Sequence, residues 1–183
     1  MFIKEYIKQN ISILFEPMNF LEKTKDDVGI KKPFLFFLTF TLIISFSIYP
    51  FLLFYRGFFE STLYAFKVLT YSLLISFGTS GIVFFIAKIV GSNYPFYQTY
   101  KSIAYNSAIF LIMYIFLIID DLIIFRALDI VLIALWSWSI IFYLISIKYY
   151  NDLDKKQFKK LILIMVLTFF FVSLPFTFRY IMH

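Results

Sequence analysis

Ser72, Ser76 and Ser80 recur every four residues inside one long apolar stretch, so in a helix they stand above one another on a single face. Thr41, Ser45 and Tyr49 repeat that spacing in the preceding apolar stretch, and Trp136, Ser139, Tyr143 and Ser146 follow a three-four-three spacing in a later one. Asn106 adds an amide, with Ser102 on the same side and Tyr105 adjacent. Such stripes have two uses. Small hydroxylated residues let helix backbones approach and hydrogen-bond across a packing seam, at about 0.6–2 kcal/mol per bond. The same groups can line a polar cavity that passes a small solute or a lipid headgroup. We read the stripes first as a seam; Ser72, Ser76, Ser80, Tyr105, Asn106, Ser139 and Tyr143 are its candidate residues.

Catalytic constellations are sparse. There is no cysteine, and the one histidine, His183, is the last residue. A thiolate nucleophile, a Cys/His metal cage and a Ser-His-Asp triad therefore have no residues to build them. Gly78-Thr79-Ser80-Gly81 lies inside an apolar stretch, not in a phosphate-binding turn between strand and helix. No catalytic, cofactor or metal residue is assigned. Asp120, Asp121 and Asp129 with Glu60 form an acidic group of the kind hard cations favour. An ordinary wet loop, with Arg126 beside an Asp, accounts for it more simply.

The elements that carry these residues follow from composition. Of 183 residues, 62% are hydrophobic, 23% aromatic and 15% charged, with mean hydropathy +0.86. Soluble domains need about 25% charged residues to wet their surface. The chain is too apolar for a cytosolic enzyme, and it is neither a disulfide-stapled secreted domain nor a disordered one. The net charge of +6 comes without any Lys/Arg run longer than two residues, which argues against nucleic acid as a partner.

Crossing a bilayer takes about 20 apolar residues in a helix. Five stretches qualify, at about 33–55, 68–90, 101–119, 128–147 and 161–178, and each is apolar all round as a barrel strand is not. Pro50 and Pro175 are expected kinks. Lys67, Lys88 and Lys101 lie near enough to span ends to snorkel to water. Of the seventeen Lys and Arg, thirteen fall on the side of the N-terminus; only Arg56, Lys67, Arg126 and Arg179 fall opposite. Basic loops stay inside. The expectation is a multi-pass protein of the cell membrane with a cytoplasmic N-terminus and an extracytoplasmic C-terminus.

The first residues do not read as a cleaved signal. Ile3, Tyr6, Ile7, Ile11 and Leu14 recur at helical spacing opposite Lys4, Glu5, Lys8, Gln9 and Ser12. Pro17 opens a second helix in which Phe20, Leu21, Thr24 and Val28 share a side and Gly29 caps the end. Both helices are expected flat at the cytoplasmic interface, the alternative being a hairpin packed on the bundle. Between the last two spans, the loop 151–160 places Lys155, Lys156, Lys159 and Lys160 close to Lys148. These five are candidate contacts for anionic lipid or an acidic partner, about 1 kcal/mol each at a charged surface. A plain positive-inside anchor is the simpler use.

Three segments, in order, carry a resemblance. Leu14-Phe-Glu-Pro-Met-Asn-Phe20 leads through a charged stretch to Lys32-Pro33-Phe34. Asn93-Tyr-Pro-Phe-Tyr-Gln-Thr-Tyr-Lys-Ser-Ile-Ala-Tyr-Asn-Ser107 opens the third span. Leu135-Trp-Ser-Trp-Ser-Ile140 runs on to Lys148, Tyr149 and the basic loop. Together they resemble the Yip family of five-span membrane proteins, the Ypt/Rab-GTPase-interacting proteins and their prokaryotic relatives. The resemblance implies a helical membrane domain with a cytosolic N-terminus. In eukaryotic members it also implies roles in vesicle trafficking, Rab binding and membrane shaping as homo- or hetero-oligomers. It defines no catalytic or ligand residue. Only about 32 residues precede the first span, where eukaryotic members carry a long cytosolic region, and heavy use of Ile, Phe, Lys and Tyr points to a prokaryotic source.

The expected fold is thus all-α: an integral membrane five-transmembrane-helix bundle, residues 33–183, led by an amphipathic interfacial segment, residues 1–32. The expected function is a non-enzymatic, cofactor-free scaffold or membrane-organising protein. Its expected partners are membrane lipids and other membrane proteins, in homo- or hetero-oligomers. The alternative is a small transporter or channel subunit using the polar seam.

Overall fold

The computed structural model describes the backbone of residues 2–123 and 127–181, and the side chains within those ranges except 2–3, 51, 118–123, 127–128 and 169–181. Every element described is helical: α1 Phe2–Phe15, α2 Pro17–Lys25, α3 Lys31–Ile89, α4 Phe96–Ile123, α5 Ala127–Tyr150 and α6 Lys155–Ile181. Four stretches among the described residues are long and apolar enough to cross a membrane: Lys31–Pro50, Leu52–Ile89, Phe96–Leu117 and Asp129–Tyr150. The fifth expected span falls in α6, largely outside the described side chains. The side chains of Asp120, Asp121, Arg126, Pro175 and His183 also lie outside the described ones.

The first two spans are the arms of α3, and their connection departs from expectation. Residues 56–67, expected as a loop, are helical apart from one residue. Gly57 (φ 75°, ψ 173°) breaks the helix. That combination is open essentially to glycine alone, because a Cβ would collide with the chain's own backbone. Tyr49 Oη lies 3.2 Å from Thr62 Oγ1, and the rings of Phe34 and Phe77 stand 6.0 Å apart, so the arms double back side by side. Pro50 stays within the helix; the non-helical dihedrals fall on Gly57.

α4 is the central helix, packed against both α3 and α5. Its sequence suits that place. Ala104, Ser107 and Ala108 are buried small residues, one turn apart, that admit neighbouring backbones closely. Gly78 and Gly81 do not share that role, since nothing lies within 4 Å of a Cβ built on either. Around the bundle, Phe46, Phe54, Phe85 and Ile133 are each at least two-thirds exposed. A water-soluble monomer does not display apolar surface on this scale; hydrocarbon is the solvent that fits it.

α1 and α2 pack onto one end of the bundle. Tyr6, Ile13, Phe20 and Leu21 enter a cluster with Phe36, Tyr105, Phe142 and Tyr150. The single apolar face expected for α1 is split in two. Tyr6, Asn10 and Ile13 turn inward, while Ile7, Ile11 and Phe15 stay exposed. Val28 lies beyond the end of α2 and is 89% exposed, so it does not share a side with Phe20, Leu21 and Thr24. Gly29 (φ 94°) turns the chain into α3 and does not cap α2, which ends at Lys25.

Candidate functional site

The end of the bundle that carries α1 and α2 also gathers the start of α4, the end of α5 and the start of α6. Lys101 is its pin. Expected at the span end reaching for water, it is instead fully buried. Its Nζ donates to the carbonyl oxygens of Thr24 at 2.7 Å, Lys25 at 3.1 Å and Asp27 at 2.7 Å. An ammonium has three protons, and all three are spent on carbonyls where α2 ends. A helix C-terminus carries partial negative charge, so the cation is favoured there twice over. The rings of Tyr97 and Tyr150 flank it at 5.5 and 5.3 Å.

Further bonds tie the same parts. Gln98 Nε2 donates to Lys25 O at 3.2 Å. Thr24 spends its proton on Phe20 O, so Tyr150 Oη, 2.6 Å away, donates to Thr24 Oγ1. Thr99 donates to Asn151 Oδ1 at 3.0 Å, joining α4 to the end of α5. Lys25 lies 3.7 Å from Asp152 and Lys32 2.6 Å from Asp27. Sequence reading missed this network. Its members are distant in the chain, and a lone lysine near a span end has snorkelling as its default.

The five expected surface lysines stand at this end. Lys148 closes α5, and Lys155, Lys156, Lys159 and Lys160 are exposed on the first turns of α6, which begins five residues before the end of the expected loop. The helix starts there because Asp154 caps it. Its Oδ1 accepts from the backbone N–H of Lys156 and Gln157, each at 2.7 Å, and Gln157 Oε1 accepts from Asp154 N at 3.0 Å. This reciprocal arrangement is a capping box. Lysines in a helix's first turn oppose its dipole, so Lys155 and Lys156 sit there at some cost to the isolated helix.

The polar seam is part seam and part groove. Asn106 Nδ2 donates to Ser139 Oγ at 3.0 Å and Ser139 donates back to Asn106 Oδ1 at 3.3 Å, locking α4 to α5. Ser80 donates to Ser76 O and Ser76 to Leu73 O, within their own helix. Beside these bonds lies an open groove of about 460 Å³, lined by Ser72, Ser76, Asn106, Ser139 and Tyr143 among Phe37, Phe40, Phe110 and Trp136. Two expected members are elsewhere. Ser80 is fully buried off the groove, and Tyr105 packs edge-on against Phe20 and Phe36 on the side of α1.

A helical chain with apolar flanks, four membrane-length spans and a basic end is a polytopic membrane protein. A family model for the Yip1 domain matches residues 11–177, and the chain belongs to the Yip family. No curated protein and no solved structure matches it.

Proposed function

We propose that the protein is a non-enzymatic membrane-organising scaffold, trafficking-like in the manner of its family, that works through anionic lipid and other membrane proteins. The carrying observation is the basic end: Lys148, Lys155, Lys156, Lys159 and Lys160 are exposed on helices, of which α5 is tied by Tyr150 and the adjoining Asn151 to the polar network and α6 is fixed by its own cap. Charges held on a rigid frame meet a charged surface without the ordering cost a loop would incur. In this reading the basic end is cytoplasmic, with residues 1–32 at the interface and 33–183 in the membrane. Replacing Lys155, Lys156, Lys159 and Lys160 by Gln then lowers the phosphatidylglycerol and the crosslinked membrane partners that co-purify after mild solubilisation. Unchanged recovery of both sinks the proposal.

The groove favours a second reading, a small transporter or channel subunit. Ser76 spends its proton on its own helix and Ser139 on Asn106, and the other walls are mostly aromatic or aliphatic, which suits an acyl chain better than a hydrated solute. The chain lacks cysteine, so Ser72→Cys and Ser139→Cys probe it directly. A lipid-filled groove leaves both thiols unreactive to a charged, water-borne maleimide; rapid labelling of both would support transport.

A further inference from the structure

A second cluster of lysines lies apart from those on α6. Between α1, α2 and the start of α3 is a cleft of about 540 Å³, lined by Lys4, Lys8, Lys23 and Lys32 together with Glu5, Gln9, Ser12, Phe20, Thr24 and Asp27. That volume lies within the range of about 300–1,000 Å³ typical of small-molecule sites. Of its two carboxylates, Asp27 is engaged by Lys32 at 2.6 Å. Lys4, Lys8 and Lys23 have no carboxylate within salt-bridge distance among the described residues, leaving three ammonium groups against Glu5. Lys4 and Lys8 are one helical turn apart, where like charges destabilise the helix unless something neutralises them.

A smaller pocket of about 200 Å³ shares Glu5, Gln9 and Lys32 with the cleft and is lined also by Tyr6. Tyr6 is 5% exposed, and its hydroxyl has no hydrogen-bond partner. Leaving such a group unpaired costs about 1–3 kcal/mol. Next to the stripe Lys4-Lys8-Ser12 on α1 runs the exposed apolar stripe Ile7, Ile11 and Phe15, about 60° round the helix. Cationic groups around a cavity beside an uncovered apolar stripe match one kind of ligand: an anionic head with an aliphatic tail.

We propose that this cleft binds the phosphate headgroup of an anionic glycerophospholipid, with Lys4, Lys8 and Lys23 on the phosphate, Tyr6 donating to the headgroup, and the acyl chains along Ile7, Ile11 and Phe15. The proposal rests on the membrane-surface reading above for its setting, and its site is separate from the lysines of α6. The stripe is what argues for a lipid over free phosphate, which would satisfy the lysines and leave the stripe uncovered.

The test uses the full chain in neutral detergent, titrated with dihexanoyl phosphatidylglycerol, dihexanoyl phosphatidylcholine or inorganic phosphate, with thermal stability as the readout. Saturable stabilisation by the phosphatidylglycerol, weaker with the other two, is expected. The variant Lys8→Gln/Lys23→Gln, altered only at side chains lining the open cleft, binds about 30-fold more weakly. The Lys155, Lys156, Lys159 and Lys160 to Gln variant binds as the wild type does. Tyr6→Phe, which removes the unpaired hydroxyl, raises the unliganded stability and loses affinity for the lipid. No saturable binding overturns the site, and so does an equal loss in the two lysine variants, which marks bulk charge. Phosphate binding as tight as the lipid overturns the lipid assignment. If only the α6 variant behaves like wild type in the co-purification assay, the scaffold proposal fails and the cleft stands.

Discussion

Lys101 shows how much one side chain decides here. Its three hydrogen bonds close the C-terminus of α2 and hold it to α4. Methionine has the length but no protons to give. Lys101→Met therefore leaves the Asp27 carbonyl unpaired, at about 1–3 kcal/mol before water enters, and leaves Thr24 O and Lys25 O with only the longer bonds from Asp27 N–H at 3.3 Å and Gln98 Nε2 at 3.2 Å. The expected result is loosening of the N-terminal helices while the spans persist, read as faster hydrogen exchange in α2 and faster tryptic cleavage at Lys23 and Lys25. Arginine would not restore it, because a planar fork does not match three carbonyls around a point. Tyr6 gives a pH signature. Burial pushes its hydroxyl up to about 12, with Asn10 close by offsetting part of the shift though outside hydrogen-bond geometry. The neutral form is the one the fold accepts, so its contribution is complete below about pH 10 and is lost as pH rises through about 12. Tyr6→Phe removes that alkaline step in the exchange of α1. Neither residue announces its role in the sequence. A lysine near a span end and a tyrosine in an amphipathic helix each have an ordinary alternative.

Among the elements, the hairpin of α3 hangs on Gly57. Beyond its own adjoining backbone, nothing stands within 4 Å of a Cβ built there, so any cost of a substitution is backbone strain alone. Gly57→Ala is expected to destabilise the hairpin by about 1–3 kcal/mol, measured by unfolding in mixed detergent. A lipid-filled or helix-filled surround does not alter the sign, because the clash is within the chain. Four of the five expected spans were legible, since about 20 apolar residues in a helix are enough to cross a bilayer. Their ends were not. Arg56-Gly57 reads as the end of the first span, and 151–160 reads as a loop between the last two spans. The capping box at Asp154 and Gln157 starts α6 within that segment by satisfying its first backbone donors.

For the whole molecule, α1, α2, the start of α4, the end of α5 and the start of α6 meet at one end, and Gly57 lies at the far end of the α3 hairpin. Single cysteines at Lys4, Glu60 and Asp152 in the cysteine-free chain test the proposed orientation. Impermeant maleimide added to intact cells should label Glu60→Cys alone, with the other two labelled only after the membrane is opened. The opposite pattern would reverse the orientation and move the lysines away from the anionic leaflet.

Composition and hydropathy by themselves determined that the chain is helical and lives in a bilayer. The cost of burying unpaired backbone in hydrocarbon leaves helices or closed barrels, and stretches apolar on every face leave the helix. The short motifs sufficed for the family, because they keep their order along the chain. Only the tertiary structure decided which polar groups meet. Lys101 reaches the end of a helix more than seventy residues away, Tyr150 reaches Thr24, and Tyr105 faces α1 while Asn106 faces Ser139. A helical period places a residue on a face. Which neighbour covers that face is set by close packing between helices far apart in sequence, where small residues at the contact admit one partner and bulk excludes the rest.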